Sequence, residues 1–138
     1  MDQESIVQLF SDFVSIQSVS TNSDRRAEIE KAVEFLKLYL SEMGCEVSIY
    51  RHEKEPPLIV ARYHISSSAK TIGVYGHYDV QPEDPVDEWS TDPFKLTLDE
   101  GKFYGRGTSD DKGHIIQNLV AVKQLIDNKE LTNNIVFI

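Results

Sequence analysis

Between residues 112 and 129 the side chains of Ile115, Leu119, Val122 and Ile126 recur at helical spacing, and the chain then passes into the β-branched run Asn134–Ile138. A helix delivered almost directly into a strand, with short apolar runs upstream, leaves few folds open. Strand, helix and strand in that order form a βαβ unit whose sheet is covered by helices. The rest of the chain reads compatibly. Ile6, Leu9, Phe10 and Phe13 give residues 2–15 a helical stripe, and Ile29, Val33, Leu36, Leu40 and Met43 do the same for 24–43. Asn22 or Ser23 caps the second helix, and Gly44 stands where a closing glycine belongs. Glu46–Tyr50, Leu58–Tyr63 and Thr71–Tyr75 read as strands separated by polar turns. FKLTL and KFYG, joined by Asp99-Glu100-Gly101, read as a β-hairpin. Residues 78–93 hold three of the five prolines and form a long loop. The expected fold class is α/β, with a mixed, mostly parallel sheet and helices on both faces.

Charge narrows the function. Against 14 Lys and Arg stand 23 Asp and Glu, a net charge of −9, which excludes a non-specific nucleic-acid binder. A single cysteine, Cys45, excludes an intrachain disulfide and a CxxC zinc site and reads as a core residue. No run approaches the roughly 18 apolar residues of a membrane span. The acidic start, MDQESIVQLF, lacks the pattern of a secretory signal, so the expected setting is cytoplasmic. Most of the charge is local. Residues 77–111 carry ten acids and three bases, or −7 of the total. A solvated loop accounts for most of these acids, Glu83, Asp84, Asp87 and Glu88 among them. A bound cation would account for a few.

Two motifs bear on that choice. In Gly73-Val74-Tyr75-Gly76-His77-Tyr78-Asp79-Val80-Gln81-Pro82 an apolar strand runs out into His77, with Asp79 two residues on. Ligands of open α/β sheets gather beyond the carboxyl ends of strands. An imidazole that ligates a metal through one nitrogen usually donates its other N–H to a carboxylate, as Asp79 could accept it. Taken alone, the pair reads more readily as a strand-end histidine bound to a turn aspartate, because short motif matches carry a high false-positive risk. In Tyr104-Gly105-Arg106-Gly107-Thr108-Ser109-Asp110-Asp111-Lys112-Gly113 two glycines precede two aspartates at a helix N-terminus, where the helix dipole favours an ionised carboxylate. N-capping by Ser109 or Asp110 is the plainer alternative. A phosphate loop is excluded because Lys112 precedes Gly113. A dinucleotide turn is excluded because Gly113 lies six residues after Gly107, and the EF-hand spacing is absent. Ser109 lacks a nucleophile elbow. His52, His64 and His114 have no partner at ligand spacing and read as surface or core residues.

In combination, GHYDVQP, EWSTDPF and GKFYGRGTSDDKG resemble the co-catalytic zinc peptidase and deacylase superfamily. It includes carnosinase-like dipeptidases, glutamate carboxypeptidase, acetylornithine deacetylase and succinyl-diaminopimelate desuccinylase. The resemblance spans at least residues 71–138 and is nearest to the dipeptidase branch. It implies that His77 ligates one metal, that Asp110 bridges two, that Asp79 orients His77, and that the Asp110–Asp111 peptide is cis. It implies two Zn²⁺ ions, with Mn or Co as alternatives, acting on the amide bond of a small peptide or an N-acyl amino acid. It allows a homodimer formed through a domain outside these residues, while the charge and the lack of an apolar span leave no nucleic-acid or membrane partner expected. The family's glutamate pair, its remaining ligands and that further domain have no counterpart here. Residues 1–138 are therefore expected to be the N-terminal portion of a catalytic domain, inactive alone and binding zinc weakly or not at all. A non-catalytic relative of the fold is the rival reading.

Overall fold

The computed structural model describes residues 1–138. Helix α1 (Gln3–Ser15) starts at Asp2, whose carboxylate accepts the Ser5 N–H. A 3₁₀ turn, Ser23–Arg25, is capped by the Asn22 side chain and leads into α2 (Arg26–Glu42), beyond which Gly44 takes φ +91°. Strands β1 (Glu46–Tyr50), β2 (Leu58–Tyr63) and β3 (Thr71–Val74) follow, then a long loop with one short 3₁₀ turn at Val86–Glu88. A small hairpin, β4 (Thr97–Asp99) with β5 (Lys102–Tyr104), precedes α3 (Lys112–Asp127) and β6 (Asn134–Phe137). Every helix and strand expected from the sequence is present, to within a few residues at its ends.

The four main strands form one mixed sheet in the order β1-β2-β6-β3, and the hairpin stands apart. The α/β class with a mixed sheet is as expected, but two finer expectations are corrected. First, the sheet is not mostly parallel. β1–β2 and β2–β6 are antiparallel, and β3–β6 alone is parallel. A parallel neighbour needs a long crossover, and only the chain between β3 and β6, which contains α3, supplies one. The βαβ unit therefore joins β3 to β6, and the hairpin is an insertion in its crossover that forms a separate two-stranded sheet.

Second, the helices cover one face. The main core cluster takes Phe13 and Val14 from α1, Val33 and Leu36 from α2, and Ile116 and Leu119 from α3. From the sheet it takes Ile59, Ala61, Ile135 and Phe137, which share one face by register. The opposite face carries Glu46, Ser48, Arg62 and Thr71, and leaves Tyr50, Leu58, Tyr75 and Ile138 exposed. Alternation of apolar and polar residues along β1 is the signature of a sheet wet on one side. No helix is long and apolar enough to cross a membrane.

Candidate metal centre

Strand β3 ends at Val74, and its continuation carries His77 past the edge of the sheet, where Gly76 N–H still donates to the Ile138 carbonyl at 3.1 Å. The glycine-rich turn after β5 brings Asp110 and Asp111 to the same place from the other direction. His77 Nε2 lies 2.9 Å from Asp110 Oδ1. Its Nδ1 lies 3.1 Å from the Asp79 carbonyl and 3.2 Å from Asp79 Oδ1. The backbone N–H of His77 donates to Asp111 Oδ2 at 3.2 Å. The structure thus brings His77, Asp79 and Asp110 together. Burial works against the imidazolium, but the Asp79 carbonyl and the Asp110 carboxylate outweigh it, and the His77 pKa is raised.

Neither Ser109 nor Asp110 caps α3. Its N-cap position is Asp111, which makes no side-chain capping bond. The Asp110 side chain is 80% exposed, and its carboxylate has His77 as its hydrogen-bond partner. The Asp110–Asp111 peptide is cis. An exposed carboxylate and an imidazole nitrogen that converge, with the other imidazole nitrogen held, fit a divalent cation as two of its ligands. They do not complete a coordination shell, since the chain contains no group of three His, Cys, Asp or Glu suited to a metal.

Several residues matter in ways the sequence alone did not indicate. Asp111 sits under the site, accepting from His77 N–H through Oδ2 and pairing with His114 Nδ1 at 2.8 Å through Oδ1. His114 is therefore a partner of the site's foundation, contrary to its reading as unpartnered. Lys112 is wholly buried, and its ammonium donates to the Phe13 and Ile16 carbonyls at 2.8 and 2.5 Å, the end of α1. A cation at a helix C-terminus is favourably placed, although burial pushes its pKa down to about 7. Ser20 Oγ donates to Asp79 Oδ2 at 2.6 Å. Cys45 is buried as expected, which raises its thiol pKa to about 11. Apart from Asp111 and His114, which stand three residues apart, these partners lie tens of residues apart in sequence, so no local pattern announces them.

Glu83 also departs from its reading as a solvated acid. It pairs with Arg25, and its backbone carbonyl accepts Trp89 Nε1–H at 2.8 Å. Trp89 in turn stacks on the Arg106 guanidinium at 4.9 Å, and Arg25 lies 5.2 Å over Phe94. The long loop is thereby pinned to the start of α2 and to the glycine turn. The hydrogen bond from Arg25 holds the Glu83 carboxyl below its ordinary 4.5, with burial opposing. A lowered carboxyl pKa stabilises the fold fully above that ordinary value and ceases to as pH falls through the lowered one. Urea midpoints of Glu83→Gln are expected to lie below wild type at pH 6 and to converge with it in acid. A constant gap at all pH values would contradict this.

Residues 73–138 match the family described as peptidase family M20/M25/M40. Over 120 residues the chain is 36% identical to the Cys-Gly metallodipeptidase dug1 of Schizosaccharomyces pombe, covering 80% of this chain and 25% of that protein. A probable succinyl-diaminopimelate desuccinylase of Staphylococcus epidermidis is 31% identical over 131 residues, covering 95% of this chain and 30% of that protein. Human carnosine dipeptidase 1 superposes with a TM-score of 0.90 at 32% identity, covering 98% of this chain and 31% of its own. The chain thus matches peptidase family M20/M25/M40 over residues 73–138. It spans between 25% and 31% of the length of these three relatives.

Proposed function

We propose that the 138 residues form the N-terminal portion of a metallopeptidase catalytic domain, whose complete protein hydrolyses the amide bond of dipeptides. The observation that carries this reading is the 2.9 Å approach of His77 Nε2 to Asp110 Oδ1 across 33 residues of sequence, with Asp79 behind Nδ1. In this reading His77 and Asp110 would hold the metal. Asp79 lies behind Nδ1 and would hold its proton, which would leave the Nε2 lone pair free for a metal. Zinc is the metal of first choice, and Mn or Co suits the same donors. When bound, paired divalent ions supply Lewis acidity toward a scissile carbonyl. Asp111 fixes the backbone of His77, and through it the angle at which the imidazole is presented.

The general base and remaining ligands belong to residues outside these 138, because two donors fall short of the three or four that zinc requires. The similarity to a desuccinylase supports a second reading, an N-acyl amino acid deacylase, which differs in the acyl group rather than in the bond cleaved. A cytoplasmic setting accords with a single unpaired cysteine. Assembly as a homodimer through a further domain rests on the family resemblance.

The test is a hydrolysis assay with Zn²⁺ or Mn²⁺ against dipeptides and against acetyl- and succinyl-amino acids. The complete protein is expected to favour dipeptides, and the 138-residue chain to turn over none of them. Preference for acyl substrates would select the deacylase reading. Metal-dependent turnover by the chain alone, abolished by His77→Ala, would overturn the assignment of the missing ligands. Silence of the complete protein on every substrate would leave a non-catalytic relative.

A further inference from the structure

We propose that Ser20 is a positioning residue for the candidate metal centre, setting the Asp79 carboxylate that in turn orients His77. The inference rests on reading His77 as a metal ligand and extends it to residues 16–20, the segment that follows α1.

The geometry is specific. Asp79 has two carboxylate oxygens and each has a different task. Oδ1 lies 3.2 Å from His77 Nδ1, and Oδ2 accepts the Ser20 hydroxyl at 2.6 Å. The Asp79 side chain is 36% exposed, so without that hydroxyl its carboxylate is free to turn toward water. A hydrogen bond to an ionised acceptor is short and directional, which suits it to fixing a rotamer. Ser20 itself is held firmly. Val19 and Val80, both buried, form an isolated parallel bridge, and Val80 N–H donates to the Ser18 carbonyl at 2.9 Å. The wholly buried Ser18 hydroxyl donates to the Tyr78 carbonyl at 2.7 Å.

The same exit from α1 reaches the other half of the site, because Lys112 binds the Ile16 carbonyl two residues after Asp110. Residues 16–20 therefore clamp both ligand-bearing loops, and Ser20 is the one member whose side chain touches a site carboxylate. Partners that orient a metal-bound histidine are worth 10–100-fold in metal affinity. Ser20 acts one bond further out, and its removal is expected to weaken Zn²⁺ binding of the complete protein by about 10-fold.

The deciding experiment uses the metal-free 138-residue chain, with the His77 ring nitrogens read by long-range ¹H–¹⁵N NMR at one fixed pH. In Ser20→Ala the Nδ1 resonance is expected to shift, while the Val80 amide keeps its protection because its bond is backbone to backbone. Ser20→Thr, which keeps the hydroxyl, is expected to restore the wild-type Nδ1 position. An unchanged Nδ1 resonance in Ser20→Ala would overturn the proposal. So would a shift accompanied by loss of Val80 protection that Thr does not rescue, since that marks a purely structural role. This readout is taken without metal, so it fails independently of the metal reading, which the hydrolysis assay tests.

Discussion

Gly113→Ala is expected to cost about 3 kcal/mol of stability, a large share of what a domain of this size holds. Two effects oppose each other. Alanine favours a helix over glycine by about 1 kcal/mol, and Gly113 lies in the first turn of α3. A Cβ at this position, however, would overlap the Thr108 carbonyl oxygen and press on the Phe10 ring at 3.3 Å. The carbonyl is backbone, held in a turn that Gly113 N–H closes on the Gly107 carbonyl at 3.2 Å, so relief requires moving the turn itself. That turn carries Asp110 and Asp111. The clash outweighs the helix propensity, and urea denaturation should place the variant well below wild type. Equal or greater stability would mean that the turn yields to the Cβ and that helix propensity decides the balance.

The second large effect is chemical and leaves the fold alone. In the complete protein, Asp110→Asn is expected to lower metal-dependent amide hydrolysis by roughly 10³-fold or more, as loss of a central catalytic group does. The scaffold should not notice. The Asp110 side chain is 80% exposed and caps no helix, so the thermal midpoint of the metal-free 138-residue chain should stay at the wild-type value. Asparagine still reaches His77 with a carbonyl oxygen but brings no negative charge to a cation. A variant that retains activity would remove Asp110 from the metal centre, and one that unfolds would recast it as a structural residue.

The contrast between these two positions reflects how much the sequence discloses. Helices and strands were legible because periodicity is local: the stripe Ile29, Val33, Leu36, Leu40 marks α2, and the alternation in Glu46–Tyr50 marks β1. The site motifs were legible because His77 and Asp79 stand two residues apart and Asp110 follows a pair of glycines. Most of what was misread is non-local. Glu83 passed for a surface acid because its partner, Arg25, is 58 residues away. His114 is the local exception: its partner Asp111 stands three residues back at the N-cap of α3, and its carboxylate points to the imidazole instead of capping the helix. Lys112, charged and next to two aspartates, gives no local sign of being buried against carbonyls 96 and 99 residues earlier.

By itself, the sequence determined the α/β class, the order of elements, the strand-end position of His77 and the glycine turn that carries Asp110. Each follows from side-chain spacing within a few residues, where backbone geometry alone decides which groups share a face. Only the tertiary structure decided that β6 inserts between β2 and β3, that one face of the sheet stays open, and that the end of α1 holds both halves of the site. Those outcomes depend on which surfaces meet after the chain collapses. Burial of Lys112 and the grip of Ser20 on Asp79 are set by contacts across the whole molecule, which no local spacing encodes.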